Sequence, residues 1–221
     1  MLIAGVDEAG RGPVLGPMVS AGVLIKEEDI PGLAELGVKD SKLLQPSNRE
    51  RLAIAILERA VKVSVKTVSA REIDDAKASG VNLNQLEVRC FAEIINQLNP
   101  DITYVDAADV NPERFSLKIK NNLVVDTELI SQHKADRDFL VVGAASILAK
   151  VERDRLVNEL KRFGNVGSGY CHDPKTISFL KEWVREHGEL PNFARHSWIT
   201  ARNILNEMRQ ALLDDFGKNK K

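Results

Sequence analysis

Short apolar runs separated by polar turns dominate the first half of the chain. Runs of four to eight such residues, continuous or alternating with polar ones, are typical of β-strands. The segments that predict strands are residues 2–6, 14–25, 61–69 and 102–106, with one or two extended pieces within residues 121–136. Gly10–Pro13 predicts a turn after the first strand, and Gly16-Pro17 predicts a kink within the second.

Apolar positions spaced three and four residues apart predict helices in the rest of the chain. The clearest stripe comprises Leu83, Leu86, Cys90, Phe91, Ile94, Ile95 and Leu98. Ser47 with Glu50, and Ser69 with Glu72, have the spacing of a capping box, which predicts a helix start at each place. Further helices are predicted over about residues 140–162, 175–187 and 197–213.

This order of elements predicts an α/β fold, since strands mixed with helices come first and the last third is helical. We expect a mixed sheet, because residues 2–25 form a hairpin-like pair while later strands are separated by helices. The predicted division is a core over residues 1–165, a small helical C-terminal extension over 166–213, and a flexible tail over 214–221.

Composition sets mild limits on function. The 221 residues include 31 Lys plus Arg and 32 Asp plus Glu, so the net charge of −1 argues mildly against a nucleic-acid binder, although a local basic face is enough. Cys90 and Cys171 are too few for a disulfide framework or a structural zinc site, which favours a reduced cytoplasmic compartment. We find no signal peptide and no apolar run near the ~20 residues of a membrane span.

Acidic residues end or follow three of the apolar runs. They are Asp7 with Glu8, Asp106 and Asp136. Ligand sites in open α/β sheets lie at strand ends, and an unpaired buried carboxylate is very costly. Several carboxylates meeting at one edge repel each other unless a divalent cation joins them, and two such cations can promote phosphodiester cleavage. The pattern therefore favours a phosphoryl-transfer enzyme.

Two features keep a structural interpretation open. Asp is common at strand ends, where it caps turns. Adjacent strand residues such as Asp7 and Glu8 point to opposite faces, so they share a site only if the strand breaks there or if Glu8 contributes partly through its backbone carbonyl. No Ser lies in a nucleophile elbow, so a metal-activated water is the simpler chemistry. His133, three residues before Asp136, either orients a carboxylate, shuttles a proton or is structural.

Six motifs in order resemble type 2 ribonuclease H, most closely its single-chain archaeal branch. They are Asp7–Pro13, Lys39–Lys42, Tyr104–Asp106, His133–Asp136, Ala144–Ile147 with Ala149-Lys150, and Gly167–Tyr170 with Asp173-Pro174. The resemblance runs to about residue 200. It implies a ribonuclease H-like mixed sheet flanked by helices, Mg²⁺ or Mn²⁺, and hydrolysis of RNA in RNA–DNA hybrids. It also implies cleavage 5′ of a ribonucleotide embedded in duplex DNA, leaving 3′-hydroxyl and 5′-phosphate ends.

The resemblance also implies roles for individual residues. Asp7, Glu8, Asp106 and Asp136 match the four catalytic, metal-binding acids. The Gly10-Arg11-Gly12 turn matches the loop that reads the 2′-hydroxyl, and Tyr170 matches a tyrosine that packs on the neighbouring sugar. The positions expected to contact the substrate are completed by Lys39, Ser41, Lys42, His133, Ser146 and Lys150.

The chain departs from the family pattern in places. Gly143 stands where Ser is frequent and Gln132 where Glu is frequent, while His196 and Ile199 replace Arg and Lys. We interpret Trp198 as a core residue and not as a base-stacking platform. Two alternatives remain open: a type 1 enzyme, which requires several ribonucleotides in a row, or a non-catalytic RNA–DNA binding protein.

The C-terminus resembles the sliding-clamp binding box of archaeal type 2 enzymes. Gln210, Leu213 and Phe216 have its spacing, but Gly217 replaces the second aromatic residue. The alternative is that these residues complete the apolar face of the last helix. We expect a monomer that binds no membrane, with a sliding clamp as a possible protein partner.

Overall fold

The computed structural model describes residues 1–38 and 45–218, with the backbone alone at residue 46 and at residues 211–218. In these ranges five strands form one sheet: β1 (Leu2–Ala9), β2 (Met18–Lys26), β3 (Lys62–Val68), β4 (Ile102–Asp106) and β5 (Glu128–Gln132). The α-helices are α1 (Ile30–Glu35), α2 (Pro46–Arg59), α3 (Ala70–Ala78), α4 (Leu83–Leu98), α5 (Pro112–Lys120), α6 (Ala135–Asp138), α7 (Leu140–Glu159), α8 (Pro174–His187) and α9 (Ile199–Lys218). Short 3₁₀ turns span Glu27–Asp29 and Leu160–Phe163.

The sheet is mixed, as predicted. Its strand order is β3-β2-β1-β4-β5. β1 runs antiparallel to β2 and parallel to β4, and β4 runs parallel to β5. The carboxyl ends of β1, β4 and β5 therefore lie at one edge of the sheet, and this is the edge that carries the acidic residues.

An apolar core layer lies between the sheet and α4. β1 is buried over most of its length, and the predicted stripe of α4 packs on it, with Leu83 and Leu86 only half-buried. Phe91 contacts Phe115 of α5 edge to face at a centroid distance of 5.9 Å. Each such side chain contributes about 1.5–3 kcal/mol through burial. This packing fixes β1 as the central strand.

Two glycines allow helices to approach the sheet closely. A Cβ atom on Gly5 would lie 2.3 Å from the backbone carbon of Val141, so α7 crosses directly over β1. A Cβ atom on Gly22 would lie 2.3 Å from a methyl group of Ile94, which brings α4 against β2. Only a residue without a side chain fits at either position. Gly5 lies two positions before Asp7 in β1, so this contact brings α7 close to Asp7.

The described chain divides into two compact units that are not consecutive in sequence. The first comprises residues 1–9, 18–67 and 82–154, and contains the sheet. The second comprises residues 10–17, 68–81 and 155–221, and has its own apolar core. That core includes Val14, Leu15, Val166, Phe179, Leu180, Val184, Leu190, Ala194, Ala201 and Ile204. The helical part thus includes two segments from the first half of the chain, which a division at residue 165 does not anticipate.

Several local predictions differ from the structure. The predicted strand over residues 14–25 begins only at Met18, because Leu15 forms an isolated bridge with Ala194. The capping box at Ser47 is wrong, since α2 begins at Pro46 and its N-cap Gln45 makes no side-chain cap. The Ser69–Glu72 box is confirmed.

The remaining differences concern the extent of helices and strands. Within residues 121–136 only β5 is a strand. The helix α5, which precedes this segment, is absent from the predicted elements. The long helix α7 ends at Glu159, and α9 continues to Lys218, which lies within the predicted tail. In the described ranges, no helix combines the length and the apolar composition that crossing a membrane requires.

We predict that Gly5→Ala lowers thermal stability, because its methyl group would overlap the backbone of α7. Overpacking of this kind costs about 1–3 kcal/mol, which corresponds to roughly 2–12 °C in Tm for a chain of this size. Differential scanning calorimetry measures the shift. Gly32→Ala is the matched control, because its Cβ atom would lie 3.5 Å from Arg59 and is accommodated. A Gly5→Ala protein as stable as wild type would contradict the close approach.

Candidate active site

The parallel strands bring the predicted acids to one edge of the sheet. Asp7 lies near the end of β1 with only 5% of its surface exposed, and its carboxylate accepts the amide N–H of Glu8 at 2.8 Å. Asp106 is the last residue of β4, and its carboxylate accepts the amide N–H of Ala135 at 3.2 Å. Asp136 follows Ala135 in α6. This hydrogen bond therefore links the Asp106 side chain to the residue directly before Asp136.

The electrostatics of Asp7 reveal a concentration of negative charge. Burial raises the pKa of the Asp7 carboxyl well above its usual value, and the charges of Glu8 and Asp106 raise it further. Hydrogen bonds from Ser146 and from the Glu8 amide act in the opposite direction. β1 continues unbroken to Ala9, so Glu8 acts on Asp7 from within a regular strand. Two of the other predicted acids, Glu8 and Asp106, are therefore within electrostatic range of Asp7.

The donor set fits a divalent cation of the hard type. Carboxylate oxygens are the ligands that Mg²⁺ and Mn²⁺ prefer. A cation beside Asp7 would offset both the burial and the carboxylate repulsion that raise its pKa. In the part of the chain that the structure describes, no group of three or more Asp, Glu, His or Cys side chains is arranged to hold a metal ion. The acids thus lie near each other without forming a coordination shell.

A chain of hydrogen bonds joins α7 to Asp7. Ser146 is 1% exposed and forms a side-chain hydrogen bond with the Asp7 carboxylate. Lys150, one helical turn later, donates from Nζ to the Ser146 Oγ at 2.7 Å. The close approach of α7 at Gly5 makes this contact possible. Two residues predicted to contact phosphates therefore lie beside a predicted metal ligand.

The turn before α6 has an uncommon backbone conformation. Lys134 has a φ of 60°, in the left-handed region that residues other than glycine rarely adopt and that is enriched at functional sites. Both ring nitrogens of His133 lie 3.2 Å from a backbone carbonyl oxygen, that of Ala107 on one side and that of Val110 on the other. His133 therefore bridges the loop that follows Asp106.

The departure at Gly143 has a structural explanation. A Cβ atom there would lie 3.0 Å from the carbonyl oxygen of Asp136 and 3.0 Å from a methyl group of Val38. This spacing is tighter than most real Cβ contacts. A serine would require its neighbours to shift by a few tenths of an ångström, so glycine lets α7 approach the Asp136 turn more closely.

In the second unit, the predicted sugar-reading turn lies beside Tyr170. Gly10 has a φ of 90°, which glycine adopts at little cost. A Cβ atom on Gly12 would lie 3.8 Å from the Tyr170 ring. The amides of Val14 and Leu15 donate to the Gly169 carbonyl at 2.8 and 3.1 Å, which ties the two loops together.

The loop that carries Tyr170 is fixed by side chains at the start of α8. The Asp173 carboxylate accepts the amide N–H groups of Ser168 and Lys175, and the first of these contacts contributes most to lowering the pKa of Asp173 to about 2. The Thr176 hydroxyl accepts the amide of Gly169 at 2.9 Å and donates to the carbonyl of Val166 at 2.9 Å. Tyr170 is therefore held on an ordered loop.

Sequence reasoning assigned no role to Arg195, which the structure shows to be fully buried against the Gly10–Gly12 turn. Its guanidinium donates to the carbonyls of Gly10, Arg11 and Gly16. Trp198, which we interpreted as a core residue, is only half-buried and packs against the apolar core of this unit. Its indole N–H donates to the Gly12 carbonyl at 3.3 Å. No periodicity signals a buried arginine, because its partners are backbone atoms distant in sequence.

The remaining predicted contact residues belong to the segment after residue 38 and to the C-terminal helix. Lys39, Ser41 and Lys42 lie outside the described residues. Gln210 is exposed on α9, and the backbone of α9 continues through Leu213 and Phe216.

Comparisons with known proteins agree with this geometry. A family model described as Ribonuclease HII matches residues 4–201. A ribonuclease HII of Methanocella arvoryzae is 46% identical over 216 residues, covering 97% of this chain and 96% of that protein. The ribonuclease H2 structure from Pyrococcus horikoshii has a TM-score of 0.90 at 42% identity, covering 95% of this chain and 99% of that one. The structure of a complex of PCNA with ribonuclease HII from Archaeoglobus fulgidus has a TM-score of 0.83 at 43% identity. The match covers 90% of this chain and 95% of that one.

The mixed sheet with acidic residues at its carboxyl edge defines a ribonuclease H-like fold. The chain belongs to the ribonuclease HII family. It is therefore a divalent-metal-dependent endoribonuclease that acts on RNA–DNA hybrids. The mild argument from net charge against a nucleic-acid substrate is wrong, because charge summed over the whole chain does not describe one face.

We predict that Asp7→Asn stabilises the metal-free protein at neutral pH. The folded-state pKa of Asp7 is raised, so its contribution to stability is present at low pH and is lost as pH rises through that pKa. The asparagine side chain does not ionise, so the variant does not lose this stability as pH rises. In EDTA, the Tm of the variant minus that of wild type should grow by several degrees from pH 4 to pH 8.

The control for this experiment is Asp109→Asn, for which the expected sign is opposite. Arg114 donates to Asp109 and holds the pKa of that carboxyl well below its usual range, with Lys118 contributing. Its stabilising effect is present above the unfolded pKa and is lost as pH falls. Asp109→Asn should therefore lower Tm at neutral pH, with the deficit closing in acid. If both variants raised Tm at neutral pH, or both lowered it, the environments assigned to Asp7 and Asp109 would be wrong.

Proposed function

We propose that the enzyme also cuts duplex DNA on the 5′ side of an embedded ribonucleotide, leaving 3′-hydroxyl and 5′-phosphate ends. Asp7, Glu8, Asp106 and Asp136 would hold two ions of Mg²⁺ or Mn²⁺. The observation that carries this assignment is the buried Asp7 carboxylate, whose pKa is raised by burial and by Glu8 and Asp106. A carboxylate in this environment is stabilised by a cation more than by any neutral partner.

When bound, the two ions would activate the attacking water and stabilise the leaving oxygen. The contribution of the chain is to hold its oxygen atoms in position. The Glu8 amide and Ser146 orient Asp7, and the Ala135 amide orients Asp106. These donors belong to a strand, a helix and a turn, so they restrain Asp7 and Asp106 before the ions bind, and the acidic side chains would still have to draw together around the ions.

Recognition of the ribose would fall to glycine-rich backbone and to one aromatic ring. The Gly10-Arg11-Gly12 turn would contact the 2′-hydroxyl, since glycine permits close approach of the backbone and the 2′-hydroxyl distinguishes RNA from DNA. Tyr170, adjacent to Gly12, would pack on the neighbouring sugar. The proposed contacts to phosphates and to the rest of the substrate are Lys39, Ser41, Lys42, His133, Ser146 and Lys150.

The decisive experiment uses a DNA duplex with a single ribonucleotide, with and without Mg²⁺ or Mn²⁺. We predict one cut 5′ of the ribonucleotide in the presence of metal. Asp106→Asn should lower kcat/KM by about 10²- to 10⁴-fold, because several kcal/mol of metal-mediated stabilisation are lost. Asp126→Asn, an exposed residue on another loop, should retain the wild-type rate.

The product ends and the substrate range complete this test. Chemical mapping of the ends should give a 3′-hydroxyl and a 5′-phosphate. If only stretches of several ribonucleotides are cut, the chain behaves as a type 1 enzyme and the proposal fails. Binding of the duplex without cleavage would favour the non-catalytic alternative.

We also propose that the C-terminus binds a sliding clamp through Gln210, Leu213 and Phe216, the enzyme itself being a monomer. The Archaeoglobus fulgidus relative is known as a complex with PCNA. Here α9 extends through all three positions, spaced as a short helical segment that can enter an apolar groove. Gly217 in place of a second aromatic residue weakens the motif.

Deletion of residues 210–221 should abolish clamp binding in calorimetry and leave cleavage without the clamp unchanged. The smaller change Phe216→Ala should weaken clamp binding at least tenfold, since a buried aromatic anchor is worth about 2 kcal/mol or more. A full-length chain that never binds the clamp, or a truncated chain that still binds, would show that these residues only finish the last helix.

A further inference from the structure

Arg195 and Trp198 together engage the backbone carbonyls of the whole Gly10–Gly12 turn. Arg195 donates to the carbonyls of Gly10 and Arg11, the latter at 2.7 Å, and Trp198 donates to that of Gly12 at 3.3 Å. The Arg195 guanidinium also lies 4.9 Å from the centre of the Trp198 ring. Two side chains from one short segment thus hold three successive peptide groups.

Holding the carbonyls of Gly10 and Arg11 also fixes the direction of the amides that follow them. The Gly12 carbonyl precedes Pro13, which has no N–H, so the contact from Trp198 anchors the end of the turn. In a planar trans peptide the C=O and N–H bonds point in opposite directions. The carbonyls of Gly10 and Arg11 face Arg195, so the N–H groups of Arg11 and Gly12 point away from it. These are the donors that a 2′-hydroxyl or an adjacent phosphate oxygen can use. The orientation of the turn therefore depends on the side chains behind it.

A guanidinium suits this role better than an ammonium group. Its planar fork presents N–H bonds in fixed directions, and Arg195 uses Nε and both Nη atoms on three different carbonyls. The side chain is fully buried, so the cost of desolvating its charge is high unless these hydrogen bonds form. The turn consequently has one strongly preferred shape.

The segment that carries Arg195 and Trp198 is itself held by α3. The Asp74 carboxylate accepts the amide N–H groups of His196 and Ser197 at 2.7 and 3.0 Å. Lys77 donates to the carbonyl of Ser197 at 3.1 Å and lies 5.7 Å from the Trp198 ring centre. Residues of α3 thus determine where the two donors to the turn are placed.

From these contacts we propose that Arg195 and Trp198, held by Asp74, are positioning residues that set how strictly the Gly10–Gly12 turn selects ribose. The inference rests on the proposed function, because it assumes that this turn reads the 2′-hydroxyl. It adds that selectivity is determined by residues that do not touch the substrate. A purely structural role would affect stability and leave the selectivity unchanged.

The test compares Trp198→Phe with wild type on duplexes with one ribonucleotide or one 2′-fluoro nucleotide. Phenylalanine keeps an aromatic ring beside Arg195 and removes the N–H that holds the Gly12 carbonyl. We expect the ratio of kcat/KM for 2′-hydroxyl over 2′-fluoro to fall about 3- to 10-fold, as for loss of one neutral hydrogen bond. Asp74→Asn, which weakens acceptance of the two amides, should lower the ratio in the same direction.

Trp183→Phe is the matched control, because Trp183 lies in the same unit but stacks on His187 at 4.1 Å. It should leave the ratio unchanged. A lower Tm with an unchanged ratio in both Trp198→Phe and Asp74→Asn would overturn the inference. A wild-type enzyme that cuts both duplexes equally would instead overturn the proposed reading of the 2′-hydroxyl. The two failures are therefore distinguishable.

Discussion

The burial of one carboxylate at the end of the central strand is the constraint on which the site depends. β1 is covered on both faces for most of its length, and Asp7 lies in that covered region. Its ionised form is disfavoured by burial and by two neighbouring acids. Hydrogen bonding offsets this destabilisation of the ionised carboxylate only partly. It comes from Ser146, which accepts from Lys150 on α7, the helix that approaches β1 closely at Gly5. The remaining imbalance is the physical reason why we propose this end of the sheet as the cation site.

Much of this arrangement could be predicted from the sequence, because it depends on local patterns. Apolar runs ending in acids identified β1 and β4, and parallel pairing then brought Asp7 and Asp106 to one edge. The alternation of polar and apolar residues predicted β3, and the spacing of Ser69 and Glu72 predicted the start of α3. Such features involve residues that are close in sequence or share a simple period.

What could not be predicted depends on contacts between distant residues. The segment before Met18 contains apolar residues that read as strand, yet Val14 and Leu15 hydrogen-bond to the Tyr170 loop. Pro46 displaced the start of α2 from Ser47, because proline is favoured in the first turn of a helix. The importance of Arg195 is evident only once Gly10 and Gly16 are seen beside it. No local pattern encodes such partners.

The interleaving of the two units also affects how the protein can be made. The donor that fixes the Gly10 carbonyl is separated from it by 185 residues. At typical elongation speeds of about 5–20 residues per second, roughly 10–40 s pass between synthesis of the turn and synthesis of its arginine. During that interval the ribosome-bound chain can pair β1 with β2, but it lacks the guanidinium that shapes the turn. The turn that we propose to read the ribose is consequently one of the last parts of the nascent molecule to take its final shape.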